Sequence, residues 1–411
     1  MMRSLLKHAQ FRWVSPNPWW ICLGFPGAPH WVQSDEGFRV SFVDLPEEVR
    51  GKYNAFKRAI WDAVHGASEF RFQVDDYRAF LDYSMATADR LLSIRDEVDA
   101  YYVNDFQQIQ VGPALGPTAP AVLRWHVPFN VKGLNPSAQR FFVKSVEGFD
   151  AVVVSTRRDL EGLIGLGFQG RAYQIYPYVD PGEFPQVGSS AQEAFRERWK
   201  IPPGAPVVLC VARMDPQKRQ DLLLEALPAL RRRFPNLVLL LIGNGSFTSS
   251  KEGGIGSSLG QDWRRRLERR VKELRMEEAV RFTGYLPDED VHVAYSICDV
   301  LALPSPAEGF GLVAVEAWLY HKPVVVSEGA GVAELVGDGV NGLVAPAGSV
   351  EGLSSALIDV LSDPERAESM GRMGSLTSRF CYTAFATRRL KRVFEEVLED
   401  YPLKGKAAPA A

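Results

Sequence analysis

Two carboxylates dominate the chemistry that this sequence could do. Glu308 and Glu316 lie in residues 305–316, which read S-P-A-E-G-F-G-L-V-A-V-E. Apolar residues surround Glu316, and an unpaired carboxylate in such a setting costs several kcal/mol, so it needs partners. The vicinal hydroxyls of a sugar or ribose would serve, because a carboxylate accepts two hydrogen bonds side by side. A structural Glu satisfied by backbone groups or by a neighbouring Arg is the alternative.

A strand, a turn and a helix must position these carboxylates. The apolar residues 299–303 predict a short strand, and a helical pattern follows the glycines of the loop. A helix that starts near Gly311 makes about 3.6 residues per turn, so Glu316 falls about a turn and a half into it. The pattern predicts half of a βαβ unit, with Glu308 in the turn and both carboxylates directed toward one strand edge.

Two cations follow a second apolar strand. Residues 206–212 are continuously apolar, which is typical of a strand buried on both faces, and R-M-D-P-Q-K follows at 213–218. Arg213 can fork onto phosphate oxygens, and Lys218 can add a point charge near the terminus of the next helix. An ion pair with Asp215 or Asp221 is the alternative, and the sequence does not decide between them.

Asp105 and His126 are the candidates in the first half of the chain. Residues 100–103, 121–125 and 151–155 predict strands that alternate with helices, which indicates a parallel α/β architecture. V-N-D-F-Q at 103–107 and L-R-W-H-V-P-F at 123–129 follow strand ends, where such folds bind ligands. A histidine satisfied structurally, by hydrogen bonds to backbone, is the alternative for His126.

Composition limits the class of protein. The 411 residues suffice for two domains, and 46% hydrophobic with 24% charged residues is typical of a soluble globular protein. A net charge of −3 gives no electrostatic argument for a nucleic acid partner. Four scattered cysteines have no metal-ligand spacing, so no metal site and a cytoplasmic location are expected. No apolar run approaches the ~20 residues that span a bilayer, and no signal-peptide core is visible, so stable membrane insertion is not expected.

The remaining segments predict ordinary elements. Residues 1–10 read as the end of an amphipathic helix, and the tryptophans Trp13, Trp19, Trp20 and Trp31 are expected in core packing rather than at a membrane surface. A helical stripe in residues 45–93 is expected in the core: Tyr53, Phe56, Ile60, Trp61 and Val64. Further strands are predicted at 237–242, 280–283, 323–327 and 342–345, and helices at 350–361, 364–373 and 382–398. The Ser/Gly-rich stretch up to Gly260 predicts a flexible insertion, and residues 404–411 a frayed tail.

Three motifs together resemble a known family. R-M-D-P-Q-K, E-G-F-G-L-V-A-V-E and G-A-G-V-A-E-L-V, in that order over one α/β domain, resemble the nucleotide-sugar half of the retaining GT-B glycosyltransferases of family four. The resemblance implies that Glu308 binds sugar hydroxyls and Glu316 the ribose, while Arg213 and Lys218 bind the diphosphate. It implies further donor contacts at Gly309, Phe310, Gly311 and Leu312, a nucleobase near Tyr285 and Leu286, and a less defined role for Glu334.

The first half is similar to the glucosyl-transferring trehalose synthases. V-N-D-F-Q, L-R-W-H-V-P-F and the upstream Y-N-A-F-K-R-A-I-W-D-A-V-H-G carry this resemblance. It implies that His126 lies near the donor sugar and makes Asp105 an acceptor-side candidate. Two departures stand out: the family's first strand and its Gly-rich loop have no counterpart here, and Lys218-Arg219 replaces the usual Lys-Gly.

These observations predict an α/β protein of the GT-B fold, with two Rossmann-like domains facing a central cleft. Residues 1–183 would form the acceptor-side domain, 184–375 the nucleotide-sugar donor domain, and 376–411 a crossing helix and tail. The boundary rests on the proline-rich residues 175–186 and the polar residues 188–190 that follow.

The predicted activity is hexosyl transfer, with glucose as the sugar, from a nucleotide diphosphate sugar to glucose or another small polar acceptor, with retention at the anomeric carbon. His126, Arg213, Lys218 and Glu308 would be the catalytic residues, without a metal or other cofactor. The alternatives are a trehalose phosphorylase on the same fold and a non-catalytic sugar-nucleotide-binding protein, which the missing loop keeps open. The sequence does not determine the nucleobase or the sugar of the donor, the acceptor or the oligomeric state, and a homodimer is compatible with it.

Overall fold

Alternating apolar runs and amphipathic segments fold into two α/β units in a computed structural model of the protein. The structure describes residues 18–24, 27–34, 37–66, 68–129, 134–244 and 257–401. The first unit comprises Met1–Tyr178 with Thr383–Ala411, and the second comprises Val179–Tyr382. The sequence placed these boundaries at residues 183 and 375. Val179 pairs with Tyr382, and its amide donates to the Cys381 carbonyl at 2.8 Å, which ties both ends of the second unit together.

The first unit contains two sheets. The first has the order β1-β3-β2, with β2 antiparallel to β3, and the other has four parallel strands in the order β4-β5-β6-β7. Their strands are β1 (Trp19–Leu23), β2 (Trp31–Gln33), β3 (Arg39–Val43), β4 (Tyr101–Asn104), β5 (Ala121–Arg124), β6 (Ala151–Val154) and β7 (Arg171–Gln174). The strands predicted near residues 100, 121 and 151 are confirmed. The short polar β7, β2 and β3 carry no continuous apolar run and were not predicted.

Helices cover the four-stranded sheet of the first unit. They are α1 (Glu47–Val64), α2 (Val74–Ser93), α3 (Val111–Leu115), α4 (Pro136–Val146) and α5 (Arg157–Gly165). The predicted stripe on α1 is confirmed as core, since Tyr53, Phe56, Ile60 and Val64 are buried, while Trp61 is only half-buried. This burial follows the helical period, which puts side chains three or four residues apart on one face.

The tryptophan cluster near the start is only partly core. Trp31 is 50% exposed, so the prediction of core packing is wrong for it. The reason is that β2 is a short edge strand whose residues are all exposed. Trp19 meets the edge of Trp31 at 6.4 Å, and Trp20 stacks on Phe38. The predictions for Trp13, for residues 1–14, for most of the Ser/Gly-rich loop and for the tail lie outside the described residues.

One six-stranded parallel sheet forms the centre of the second unit. Its order is β10-β9-β8-β11-β12-β13. The strands are β8 (Val207–Val211), β9 (Val238–Ile242), β10 (Val280–Gly284), β11 (Val300–Leu303), β12 (Val324–Ser327) and β13 (Gly342–Ala345). The helices are α6 (Ser189–Arg198), α7 (Gln220–Arg233), α8 (Ser257–Glu273), α9 (Asp288–Ile297), α10 (Leu312–Leu319), α11 (Val350–Ser362) and α12 (Pro364–Thr377). Most of these strands are buried on both faces, as their continuous apolar runs predict.

The last helix, α13 (Thr383–Leu398), belongs to the first unit. Its buried face consists of Ala386, Leu390, Val393, Phe394 and Val397. These side chains pack in one cluster with Val122 of β5 and Val153 of β6. The helix predicted at 382–398 is thereby confirmed, and it closes the second face of the four-stranded sheet.

Gly374 allows α12 to lie against Trp318 of α10. A Cβ at Gly374 would come within 2.0 Å of Trp318 Cδ1, and Trp318 is fully buried with its indole nitrogen donating to the Asn341 carbonyl at 2.9 Å. We expect Gly374→Ala to lower the free energy of unfolding by about 1–3 kcal/mol, because overpacking displaces a locked ring. Urea denaturation measures this change.

Gly188→Ala is the matched control in the same unit. Its φ is −74°, and a Cβ there would meet nothing within 4 Å. It should change stability by no more than about 0.5 kcal/mol. Equal effects of the two substitutions would contradict the packing argument.

Candidate functional site

The chain order of the six-stranded sheet reverses between β8 and β11. β8 pairs with β9 on one side and with β11 on the other, and β11 continues to β12. The carboxyl ends of parallel strands at such a switch point are where open α/β sheets bind ligands. R-M-D-P-Q-K follows β8 and the Glu308 loop follows β11, so both motifs leave the sheet at the switch point.

Lys218 and Glu308 meet directly. Lys218 Nζ lies 2.5 Å from Glu308 Oε2, and the side chains are 18% and 17% exposed. The contact joins residues that are 90 positions apart in the sequence. A half-buried ion pair requires good geometry to offset desolvation, and the remaining exposure leaves room for a ligand.

Arg213 contacts the acid next to it in the same motif. Its Nη1 lies 3.4 Å from Asp215 Oδ2, while Asp221 pairs instead with Arg219 at 3.0 Å. The ion pair with Asp215 is therefore present. Burial lowers the pKa of Arg213, whereas Asp215 and Glu308 raise it. A guanidinium stays protonated in proteins, so a cation is fixed at the end of β8.

A buried relay supports the Arg213 loop. Trp263 Nε1 of α8 donates to Gln220 Oε1 at 2.9 Å, and Gln220 Nε2 donates to the Arg213 carbonyl at 2.7 Å. Gln220 is 1% exposed. The Met214 amide also donates to the Asn244 carbonyl at 2.9 Å, so the loop is anchored at two successive residues.

Arg219 occupies the position where the family usually has glycine. Its φ is 52°, in the left-handed region that favours glycine, directly before α7. Its guanidinium donates to Asp221, two residues further on, in the first turn of that helix. The chain thus keeps the conformation of the turn, at a backbone cost of order 1–2 kcal/mol.

The Glu308 loop is paired with the second Gly-rich turn. Gly331 donates to the Glu308 carbonyl at 3.1 Å, and Val332 donates to the Phe310 carbonyl at 2.7 Å. Gly329 has no space for a side chain, since a Cβ would lie 1.8 Å from the Pro306 carbonyl oxygen. The second Gly-rich turn, G-A-G-V-A-E, therefore fixes the backbone of the Glu308 loop through these two hydrogen bonds.

The predicted donor contacts differ in accessibility. Gly311, with φ 103°, precedes α10, which confirms the helix start predicted near it. Phe310 is 4% exposed and Gly309 is buried, so the Phe310 ring belongs to the core of the second unit rather than to an open surface. The other predicted contacts range from buried to open: Leu286 is 7% exposed, Leu312 is half-buried and Tyr285 is 70% exposed.

Glu316 of α10 has a partner that sequence reasoning missed. The Tyr295 hydroxyl of α9 donates to Glu316 Oε2 at 2.6 Å. Burial raises the pKa of the half-buried Glu316, and the bond from Tyr295 opposes that rise. Neither backbone nor arginine provides this contact. The signal in the sequence was a carboxylate on an otherwise apolar helix, because such a carboxylate requires a hydrogen-bond donor from another element.

Asp105 and His126 lie together in the first unit, at the ends of β4 and β5. Asp105 Oδ1 accepts the His126 backbone amide at 3.3 Å, and His126 Nε2 lies 3.2 Å from Asn104 Oδ1. Asp105 has a φ of 69°, which is uncommon outside glycine and is often found at functional sites. The His126 ring therefore contacts a side-chain amide rather than the backbone.

Burial sets the ionisation of both groups. It raises the pKa of Asp105 to about 6, against hydrogen bonds from Phe106 and His126 that lower it. It lowers the pKa of His126 well below the usual value, and the charge of Arg124 adds to the effect. His126 is thus a neutral imidazole near pH 7, able to donate or accept one hydrogen bond at each nitrogen.

Arg124 is a second residue that the sequence did not single out. It is 1% exposed on β5, and its Nη1 donates to the Val154 carbonyl at 3.4 Å. Within the described residues its Nε and Nη2 have no hydrogen-bond partner. A cation in an otherwise apolar strand was the available signal, and its charge acts on both Asp105 and His126.

No group of three or more His, Cys, Asp or Glu side chains in the described part of the chain could hold a metal ion. No described helix combines the length and the apolar character needed to cross a membrane.

Solved structures identify the fold. A structure of the trehalose-6-phosphate synthase OtsA matches with a TM-score of 0.79 at 16% identity, covering 96% of this chain and 93% of that one. The structure of Alr3699/HepE from Anabaena in complex with UDP-glucose matches with a TM-score of 0.66 at 19% identity, covering 92% and 99%. The protein has the GT-B fold, as the sequence predicted.

The similarity to a known sequence family lies in the second unit. Residues 191–376 match the model of the family described as glycosyl transferases group 1. A GDP-mannose-dependent alpha-(1-6)-phosphatidylinositol monomannoside mannosyltransferase of Mycolicibacterium smegmatis is 34% identical over 205 residues, which are 48% of this chain and 49% of that protein. The chain therefore spans about half the length of this curated relative. Residues 191–376 of the second unit are thus similar to the group 1 glycosyl transferases.

The raised pKa of Asp105 makes a prediction about stability. The folded chain binds the Asp105 proton up to about pH 6, and an unfolded chain releases it near its ordinary pKa of about 3.9. Stability contributed by this group therefore falls as pH rises between these values. We expect Asp105→Asn to raise the free energy of unfolding by about 1–2 kcal/mol at pH 8 and to change it little at pH 4, since asparagine has nearly the same shape as a protonated aspartate and never ionises.

Urea denaturation at both pH values measures the effect. Asp89→Asn, an exposed position on α2, is the control and should show no such pH dependence. A stability difference for Asp105→Asn that is the same at pH 4 and pH 8 would contradict the burial argument.

Proposed function

We propose that the protein is a retaining glycosyltransferase that moves a hexosyl group from a nucleoside diphosphate sugar to a small hydroxylated acceptor. The observation that carries this proposal is the contact of Lys218 with Glu308 at the switch point, which joins the two motifs into one site. The group 1 match over residues 191–376 and the GT-B fold support it.

The donor site would work by electrostatics. Arg213 and Lys218 would stabilise the charge that grows on the departing diphosphate, an effect that is usually the largest single contribution to catalysis. Glu308 would accept hydrogen bonds from hydroxyls of the transferred sugar, and Glu316 would accept them from hydroxyls of the ribose. The backbone amides of residues 309–311 would face the donor. Tyr285 and Leu286 would lie beside the nucleobase.

Retention needs no covalent nucleophile in this scheme. The bond between the anomeric carbon and the diphosphate oxygen breaks, and the acceptor oxygen forms a bond to that carbon on the same face. The acceptor proton moves to the leaving phosphate oxygen, so atoms and charge balance. No metal is needed if Arg213 and Lys218 neutralise the diphosphate.

Asp105 and His126 would serve the acceptor side and the transferred sugar. A neutral His126 can hydrogen-bond a sugar hydroxyl and hold the anomeric carbon in place, and reacting geometry tolerates little misplacement. His126→Ala should then remain folded but react at least ~10²-fold more slowly in single turnover. A normal rate in the folded variant would remove His126 from the site.

Glucose is the proposed sugar, in a trehalose synthase-like reaction with glucose as acceptor. The resemblance of L-R-W-H-V-P-F and the fold match to a trehalose-6-phosphate synthase support this choice. Mannose is the second candidate, because the relative at 34% identity is named as GDP-mannose-dependent. The site carboxylates bind hydroxyls of either sugar, so the donor must be found by assay.

The assay combines each of UDP-glucose, ADP-glucose, GDP-glucose and GDP-mannose with glucose and follows nucleoside diphosphate release and disaccharide formation. Release that needs acceptor supports the proposal. Nucleotide binding without product with any donor would favour a non-catalytic binding protein, and glucose 1-phosphate formed from trehalose and inorganic phosphate would favour a phosphorylase. Activity abolished by EDTA and restored by magnesium would contradict the metal-free scheme.

Arg213→Ala and Lys218→Ala should lower turnover more than donor affinity. The charge they meet is larger in the transition state than in the ground state, so their loss raises the activation barrier more than it weakens binding. We expect kcat to fall by roughly 10²-fold or more, with a change in donor KM of no more than a few-fold. Steady-state kinetics on the active donor measure both.

Arg265→Ala is the control, because this arginine is 69% exposed on α8 and pairs only with Asp262 among the described residues. It should leave both constants near wild type. Variants of Arg213 and Lys218 that changed only the donor KM would show that these cations do not act on the leaving group.

A further inference from the structure

Glu316 is held by a neutral donor from the neighbouring helix rather than by a cation. The bond from the Tyr295 hydroxyl to Glu316 Oε2 is 2.6 Å long and joins α9 to α10. Tyr295 is fully buried, so this hydroxyl has no access to water as an alternative partner. Hydrogen bonds to an ionised carboxylate are shorter and stronger than those between neutral groups.

The Tyr295 ring is itself fixed. It stacks on Tyr320 with a centroid distance of 5.9 Å and an interplanar angle of 8°. The Tyr320 hydroxyl donates to the Pro185 carbonyl at 3.1 Å, which anchors the outer ring of the stack. Packing therefore determines the position of the Tyr295 hydroxyl before any ligand binds. The hydrogen bond from this hydroxyl then orients the Glu316 carboxylate.

The bond divides the two oxygens of Glu316 between protein and ligand. Oε2 accepts from Tyr295, and within the described residues Oε1 has no hydrogen-bond partner. A carboxylate oxygen has two acceptor sites, so Oε1 can serve one or both hydroxyls of a ribose. An unanchored carboxylate in this position would have to lose rotational freedom on binding.

The bond also bears on the charge of Glu316. Donation from Tyr295 favours the ionised carboxylate and so opposes the burial that raises the pKa of Glu316. Burial first, and then Glu316, raise the pKa of Tyr295 well above its usual value, so its hydroxyl stays a donor. The other titratable groups that act on this pair are Asp288 of α9, Cys298 and Cys210. Glu316 in turn raises the pKa of Tyr320, which follows α10 and packs against His292.

We propose that Tyr295 is a positioning residue for nucleotide recognition, which holds the Glu316 carboxylate in the orientation and charge state that accept hydrogen bonds from a ribose. The inference rests on the proposed function, since it assumes that Glu316 meets the ribose. It adds a residue that does not touch the ligand and yet sets the pH range over which the nucleotide binds.

Tyr295→Phe removes one hydroxyl and keeps the ring. Without the donor the pKa of Glu316 rises, so the carboxylate is protonated at a higher pH and affinity is lost earlier on acidification. We expect the pH at which affinity falls to move up by about one unit, which weakens binding by up to about tenfold on the acid side of the wild-type transition and much less at pH 8. Calorimetric titration with UDP and with GDP between pH 5.5 and pH 8.5 measures this shift.

The comparison is made between variants, because the titration of the nucleotide phosphates is common to all of them. Glu316→Gln should weaken binding and lose the acid-dependent component, and it should lower the preference for UDP over 2′-deoxy-UDP. Tyr295→Phe should then add less than about twofold to Glu316→Gln, since the tyrosine acts through the charge of Glu316. Tyr382→Phe, at a hydroxyl that lies near Ser378, is the control and should behave as wild type.

The outcomes separate the two claims. If Glu316→Gln weakens binding but Tyr295→Phe keeps the wild-type pH profile, the positioning role is wrong and the proposed site stands. If Glu316→Gln binds like wild type, both fall. If wild type binds neither UDP nor GDP, the titration is repeated with ADP, and failure to bind any of the three nucleotides overturns both. Should Tyr295→Phe be unstable, Tyr320→Phe, which loses the bond to Pro185, should move the acid limb in the same direction by a smaller amount, and an unchanged profile would overturn the inference.

Discussion

The half-buried ion pair of Lys218 and Glu308 is the interaction on which the donor-side site depends. It exists because β8 and β11 are neighbours in a parallel sheet, so the loops that follow them leave at one edge. Neither charge would be stable there alone, because an uncompensated buried charge costs several kcal/mol. The Glu308 loop can pack against the second Gly-rich turn only because Gly329 has no side chain. A Cβ at Gly329 would clash with the Pro306 carbonyl oxygen.

Much of this site could be predicted from the sequence, because its information is local. Continuous apolar runs marked the buried strands, and a helix start at a glycine fixed where Glu316 falls. The partners that complete the site could not be predicted in this way. The Tyr295 hydroxyl of α9 bonds to Glu316 of α10 from 21 positions away in the sequence, and nothing in the spacing of either residue specifies that contact. The same limit applied to β7, whose polar residues form a strand because β6 offers them an open edge.

The candidate site of the first unit is less well compensated. Arg124 lacks partners for two of its nitrogens within the described residues, and Asp105 has both a raised pKa and an uncommon φ. Stability alone would not favour such groups. An apolar residue in β5, or an Asn at position 105, fits the same backbone at a lower cost in desolvation free energy. Their coexistence around His126 agrees with a site whose function is maintained at some expense of stability.

The two carboxylates of the second unit are held by chemically different partners, and the difference suits their proposed ligands. Glu308 is paired with Lys218, and under the proposed function this cation also binds the diphosphate, so the ion pair could be shared or exchanged when a donor binds. Glu316 is held by a phenol that no anion competes for, so its charge stays available for hydroxyls. A second cation beside Glu316 would attract the diphosphate to the proposed ribose position. The donor could then bind in more than one position along the site. A neutral donor orients the carboxylate without offering the phosphates a competing site, and the distance between sugar and ribose recognition is then set by the protein rather than by the ligand.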